Sequence, residues 1–373
     1  SPLPGLLRLR SGQVLARSRY RGLIITKHDS APLDGIDQIL GGHPVPDQNS
    51  LNAGEKALQF LSAVQARDLL LCLISGGGSA LMTAPVDGVS LADMQSLTTA
   101  LLRSGARVDE INTLRRHLDK LKGGGIARIV SPARVVSLIL SDVVGNPLEA
   151  IASGVTAPDP TFREDALHVI EKYGLTEKVP ASILHALRTS AETPKPGDEI
   201  FDSVKNILVG SNLQAARAAL EVAQAEGFHT QILGDDWQGE AREVAKAICS
   251  ALKEKLTTRS LCLIAGGETT VTVHGSGRGG RNQELALACV DELSGMENVM
   301  VIALATDGED GPTDAAGAVA TNETLERSKA LGLSSAEYLY ENNAYNYFDE
   351  LGDLLKPGPT GTNVNDLIFA FAF

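Results

Sequence analysis

Strand-length apolar runs that stop at glycine turns and hand over to helix-period segments recur along this chain, and that alternation admits few folds. The runs Leu69–Ile74, Val135–Leu140, Ser260–Ile264 and Val299–Ala305 are almost purely apolar, as in strands covered on both faces. Helix-period segments fill about 50–66, 91–102, 109–121, 159–173, 212–226, 239–256 and 282–293. Shorter strands are expected at 22–26, 206–209 and 230–233, a half-exposed one over Thr269–His274, a helix near 334–341, and a further strand over 367–373. A polar stretch, Glu192–Glu199, interrupts the pattern, which then restarts. Such alternation implies mostly parallel sheets with helices on both faces. The expected fold class is α/β: two Rossmann-like α/β domains, residues 1–202 and 203–373.

Four glycine sets stand behind these runs: Ser75-Gly76-Gly77-Gly78-Ser79, Lys122-Gly123-Gly124-Gly125, Gly266-Gly267-Glu268, and Gly275-Ser276-Gly277-Arg278-Gly279-Gly280-Arg281. Without a Cβ, backbone N–H groups can close on an anion, and a following helix adds partial positive charge. With Lys122, Arg278 and Arg281 embedded, the sets point to a site for more than one phosphate. Ligands of open α/β sheets gather at strand carboxyl ends, where Asp142 follows one run and Asp307 another. Carboxylates so placed suit Mg²⁺, although each also fits an ordinary cap or Asx-turn.

Other chemistries find less support. A Walker A pattern is absent, while Gly275–Gly280 matches G-x-G-x-x-G between a strand and a helix, as a dinucleotide site requires. Its arginines give that loop more the character of a phosphate clamp. Ser79 lies outside any G-x-S-x-G elbow, His43 and His117 read as structural, and no histidine or cysteine spacing suggests zinc. Asp307–Gly311 looks like part of a calcium loop but lacks the full spacing and terminal glutamate.

A net charge of −13 argues against nucleic acid or an anionic membrane as partner. No apolar run reaches the roughly 18 residues of a membrane span, and no secretory signal is visible. Cys72, Cys249, Cys262 and Cys289 sit in aliphatic segments and read as buried thiols of a reducing, cytoplasmic compartment.

Seven segments together resemble the class II glycerate kinases, the glycerate 2-kinase family whose C-terminal part is the MOFRL domain. They are Ile74–Leu81, Ile111–Arg116 continuing to Leu121–Gly125, Leu140–Pro147 with Ile151–Gly154, Ala265–Thr270, Gly275–Leu285, Thr306–Ala316 and Thr360–Asp366, in family order from about Gly42 onward. The resemblance implies an active site in the cleft between two domains, where Mg²⁺-dependent transfer from ATP to the 2-hydroxyl of D-glycerate gives 2-phosphoglycerate and ADP. By matching motifs it implies Asp142 and Arg281 as the catalytic acid and arginine, with Asp142 and Asp307 on the metal. Ser75, Gly76, Gly77, Gly78, Ser79, Lys122, Gly123, Gly266, Gly267, Glu268 and Arg278 would serve the nucleotide. The implied partners are glycerate and ATP, with no nucleic acid and no membrane; a homodimer is left open. Two departures stand out. The family's G-x-G-K segment, with its active-site lysine, has no counterpart in residues 1–20, and Val155 replaces a usual proline. The alternatives are an NAD(P)H-dependent hydroxypyruvate reductase using Gly275–Gly280, and a non-catalytic nucleotide- or sugar-phosphate-binding protein.

Overall fold

The computed structural model describes residues 20–27, 31–42, 45–256 and 260–373. The stretch searched for G-x-G-K up to residue 19, and His43, lie outside the described residues. The chain divides into two compact units. The N-terminal unit runs to Ile139 and resumes over Pro147–Val209; the C-terminal unit comprises Leu140–Asn146 and Gly210–Phe373.

The N-terminal unit contains β1 (Gly22–Thr26), β2 (Ile36–Leu40), α1 (Gln48–Leu61), β3 (Leu69–Ile74), α2 (Gly78–Leu81), α3 (Leu91–Arg103), α4 (Val108–His117), α5 (Gly125–Val130), β4 (Arg134–Leu140), α6 (Arg163–Lys172), α7 (Ala181–Thr189) and β5 (Val204–Gly210). Some of its helices begin where the sequence supplies caps. Asp47 and Ser50 form a reciprocal capping box on α1, and Ser90 and Asp93 do the same on α3, each satisfying amides that the first turn leaves unpaired. β1 and β2 pair in parallel, as do β3 and β4, and β5 completes a three-stranded sheet in the order β3-β4-β5. Because β5 belongs to this sheet, the unit extends past the expected boundary at residue 202.

One strand departs from expectation. In β3 only Leu70, Cys72 and Ile74 pack into the core with Leu61, Leu121 and Val135. Leu69, Leu71 and Leu73 alternate outward at 55%, 46% and 56% exposure. An all-apolar run therefore does not establish cover on both faces, since side-chain direction alternates whatever the residue type. A second core is mostly helical, with Leu97, Leu101, Leu114, Ile170, Ile183 and Leu187 packing together from α3, α4, α6 and α7.

The C-terminal unit contains α8 (Asn212–Ala225), β6 (His229–Glu240), α9 (Ala241–Lys255), β7 (Leu261–Thr270), α10 (Arg281–Leu293), β8 (Val299–Ala305), β9 (Gly317–Thr321), α11 (Thr324–Ala330), α12 (Ser335–Tyr340), α13 (Ala344–Leu351), β10 (Leu354–Leu355) and β11 (Asp366–Ala372). The strand order is β10-β9-β8-β11-β7-β6. Here the expectation of a mostly parallel sheet is corrected: β6 and β7 are parallel, but the other four pairings are antiparallel. Two of the four belong to β11, which enters from the end where β7 and β8 finish and runs back between them, and the other two to β9, which pairs with β8 and β10. Antiparallel neighbours need no helical crossover.

The expected turn at Gly266-Gly267-Glu268 is also corrected, because these residues continue β7. Gly267 faces Asp366 on β11 and Trp237 on β6. Their glycines answer close approach: a Cβ on Gly266 would lie 1.6 Å from Asn212 Oδ1, and one on Gly267 2.0 Å from the Trp237 carbonyl oxygen. The half-exposed strand expected over Thr269–His274 is absorbed in part into the same β7, which ends at Thr270.

Candidate active site

At one end of the C-terminal sheet, β7 reaches Glu268, β8 ends at Ala305 and β11 begins at Asp366, in register with both Gly267 and Ala305. Arg281 opens α10 beside them. Its Nε donates to Asp366 Oδ2 at 2.6 Å and its Nη2 to Asp366 Oδ1 at 3.1 Å, a bidentate fork; Nη1 donates to Glu268 Oε1 at 2.8 Å. Two carboxylates thus fix the guanidinium plane before any substrate arrives. Burial opposes charge on Arg281, but Asp366 and then Glu268 hold its pKa above the ordinary value. Burial likewise lifts Asp366, and the arginine opposes that lift. Glu268 is half-exposed and Asp366 is buried, so Asp366 is the anchor and Glu268 the accessible neighbour.

Asp307 is half-buried at the end of β8, its Oδ1 accepting from the Glu309 amide at 3.2 Å, which is the local Asx-turn foreseen beside its metal role. Asp142, also half-buried, follows β4 in the segment that joins the C-terminal unit. There the Ser141 amide donates to the Gly210 carbonyl at 2.9 Å. Asp142, Arg281 and Asp307 therefore belong to one unit, although 165 residues separate the first from the last. Among the described residues no group of three or more histidines, cysteines or carboxylates could by itself hold a metal.

The calcium-loop likeness at Asp307–Gly311 has a structural explanation. Asp310 is buried and spends its carboxylate on the start of α10, accepting from the Asn282 amide at 3.2 Å and the Gln283 amide at 2.9 Å. Burial lifts its pKa to about 6, against the pull of those amides. An unfolded aspartate titrates near 3.9, so the folded chain binds this proton more tightly. The stabilisation is complete below about pH 4 and is lost as pH rises through about 6. Urea midpoints measured from pH 4 to 7 should show this component, and Asp310→Asn should abolish it. An unchanged slope in that variant would count against the assignment.

The remaining glycine sets divide sharply. In Lys122–Gly125 the amides of Gly123 and Gly124 donate to Ser153 and Gly154 carbonyls at 3.0 and 2.7 Å, and that of Ile126 to Val155. Lys122 itself is 2% exposed. This turn is interior architecture, not the phosphate contact the sequence suggests. Gly275–Gly280 lies against residues 341–343: the Gly275 amide donates to Asn342 Oδ1, that of Gly277 to the Glu341 carbonyl, and that of Arg278 to Asn343 Oδ1. A dinucleotide loop must keep its amides for the pyrophosphate, and these are already engaged. Arg278 is exposed, lies 4.1 Å over the Tyr345 ring and approaches Asp314 at 3.8 Å.

The Ser75–Ser79 turn differs. Among the described residues the Gly76 and Gly77 amides have no backbone partner, and Gly77 occupies the left-handed region at φ 82°. The following α2 spans one turn, too short for much dipole. Facing it are Ala152 and Ser153, both left-handed at φ 50° and 56°. Such conformations in non-glycine residues cost about 1–3 kcal/mol each and gather at functional sites. Ser79 Oγ lies 2.7 Å from Ser153 Oγ, which donates to Asn112 Oδ1 at 3.4 Å.

Sequence reasoning missed Asp366, Ser153 and Asn112 as site residues, although each lies in a quoted motif. The Asn-Asp pair opening an apolar run was a usable signal for Asp366. Its arginine partner, 85 residues away, was not.

Two α/β units, one presenting a carboxylate-clamped arginine at a sheet end, leave the chemistry open, and comparison with known proteins makes the relationship specific. Residues 8–188 match the family described as a domain of unknown function, DUF4147, and residues 261–366 match the MOFRL family. The D-glycerate 2-kinase of Thermotoga maritima is 44% identical over 365 residues, covering 95% of this chain and 85% of that one. The glycerate 2-kinase of Pyrococcus horikoshii is 41% identical, covering 94% and 81%. The crystal structure of glycerate kinase from Thermotoga maritima superposes with a TM-score of 0.89 at 39% identity, covering 95% and 92%. This chain belongs to the glycerate kinase family with a C-terminal MOFRL domain.

Proposed function

We propose that this protein is a glycerate 2-kinase, transferring the γ-phosphoryl group of ATP to the 2-hydroxyl of D-glycerate to give 2-phosphoglycerate and ADP. The observation that carries the reading is Arg281, held by Asp366 and Glu268 at a sheet end in the unit that also holds Asp142 and Asp307, in a chain 44% identical to a D-glycerate 2-kinase. Phosphoryl transfer asks a protein chiefly to position groups and to neutralise spreading charge. A fixed guanidinium does both: it grips phosphoryl or carboxylate oxygens and need not reorganise as charge develops. Asp142 takes the proton of the attacking hydroxyl. The Gly76 and Gly77 amides, with Ser75 and Ser79, serve nucleotide phosphates.

Mg²⁺ fits the donor set. Asp142 and Asp307 offer hard carboxylate oxygens, and the ion's other ligands would come from phosphates and water. Bound there, Mg²⁺ would supply charge neutralisation at the phosphates. No helix of the described residues is long and apolar enough to cross a membrane, and the four free thiols fit a reducing cytoplasm.

The test is ADP release from ATP plus D-glycerate, with phosphorus NMR of the product locating the ester on carbon 2. NADH oxidation by hydroxypyruvate without ADP release from glycerate would establish the reductase reading instead. The engaged amides of Gly275–Gly280 weigh against that result.

A further inference from the structure

A small cavity beside α3 and α4 of the N-terminal unit carries charge that the mechanism above leaves unused. Thr83, Met94, Gln95, Arg115 and Lys122 contribute to its wall, and its volume is about 10 Å³, room for one oxygen-sized atom. Lys122 is 2% exposed and has one acid in reach, Asp119 Oδ2 at 3.2 Å. That carboxylate also has neutral donors. It accepts from the Thr83 hydroxyl at 2.8 Å and from the Ala84 and Leu121 amides at 2.9 Å. Arg115 brings a second cation, which Lys122 feels as repulsion. Among the described residues no acid pairs with Arg115; its guanidinium donates at 3.4 Å to Asn112 Oδ1. Burial pushes both cations below their ordinary pKa values. Lys122 has Asp119 as its counter-charge, whereas the half-buried Arg115 has none among the described residues, and a partly interior charge without one is costly.

We propose that the Arg115–Lys122 cavity is a binding pocket for a small monoanion, one of whose oxygens occupies the cavity between the two cations. Carboxylate suits it, since a guanidinium fork and an ammonium can share one carboxylate group. The anion is either the carboxylate of the hydroxy-acid substrate or a free anion that completes the unit. A short hydrogen-bonded path favours the first source. Arg115 reaches Asn112, Asn112 accepts from Ser153, and Ser153 touches Ser79, so the pocket is tied to the turn assigned to phosphates. This identification of the source rests on the glycerate kinase reading; the pocket itself does not.

Formate is the probe for the pocket. Sodium formate, titrated against a bulky sulfonate at constant ionic strength, should raise the melting temperature of the wild-type protein saturably and leave folded Arg115→Gln unmoved. In kinetics, Arg115→Gln should raise KM for D-glycerate about 10–100-fold, the worth of a hydrogen bond to a charged group, with KM for ATP within about twofold. That split identifies the substrate carboxylate. Formate protection with an unchanged glycerate KM identifies a free anion. If neither formate protection nor the glycerate KM responds to Arg115→Gln, the proposal is overturned. If Arg115→Gln does not fold, the wild-type titration decides: saturable protection supports the pocket, and none overturns it. A wild-type protein that makes no ADP from glycerate refutes the kinase reading, and the formate arm still tests the pocket.

Discussion

Arg281→Ala lowers kcat for glycerate phosphorylation by about two to three orders of magnitude, the usual loss when a preorganised group facing transition-state charge is removed. The geometry adds a second consequence. Asp366 is 3% exposed, and without the two bonds at 2.6 and 3.1 Å its carboxylate is left interior and uncompensated. Stranding one member of a buried pair costs about 3–5 kcal/mol; the half-exposed arginine places this case toward the lower end. Arg281→Lys separates the two effects. It keeps a positive charge near Asp366, so it should melt close to wild type, but it lacks the planar fork and should still lose most of its turnover. Steady-state ADP release and thermal melts of both variants give the answer. A folded Arg281→Ala enzyme with near-normal turnover would remove Arg281 from the mechanism.

Asp159→Asn is expected to be the most damaging change to stability in the N-terminal unit. Asp159 is fully buried, and its Oδ1 accepts from Arg116 Nε at 2.8 Å and from the Thr161 amide and hydroxyl at 2.9 and 2.7 Å. Its Oδ2 accepts from Thr193 Oγ1 at 2.9 Å. Arg116 is itself buried, and the alanine-sized space at Gly123 is closed by Arg116 Cβ at 3.1 Å. Asparagine keeps the shape but removes the charge that balances the buried guanidinium, whose other partners, the Glu149 carbonyl and the Thr113 and Thr161 hydroxyls, are neutral, at a cost of about 3–5 kcal/mol. Far-UV circular dichroism reports on both units, whereas the lone tryptophan, Trp237 on β6, reports on the C-terminal one. The urea midpoint by dichroism is therefore the measurement. A shift worth under about 1 kcal/mol would mean that the network is not what holds this unit together.

How much of this was legible in the sequence follows from which forces are local. Periodicity located β8 over Val299–Ala305 and placed α8 and α10 within a residue or so, because those segments carry their own apolar pattern. Spacing could not reveal that β11 would insert between β7 and β8. Strand order is set by long-range packing, and the run at 367–373 reads the same at an edge or a centre. Glycine was the most ambiguous letter. Gly77 serves a left-handed turn, Gly266 yields to the Asn212 side chain, and Gly277 would bring a Cβ within 2.5 Å of the Glu341 carbonyl oxygen. A left-handed turn and a close approach look identical in a one-dimensional string. Acids are easier to single out. Asp142 and Asp307 stand out as candidates because strand ends are where ligands gather. Asp366 escaped because its meaning depends on an arginine that only the folded sheet brings to it.

The position of β11 also governs how this protein can be made. Until residues 366–372 have been synthesised, the strand that pairs with both β7 and β8 is missing, and the native six-stranded sheet cannot close. The C-terminal unit must therefore mature after most of its own residues already exist, a window in which unpaired edges invite intermolecular pairing. Chaperone demand during synthesis should accordingly concentrate on this half of the molecule.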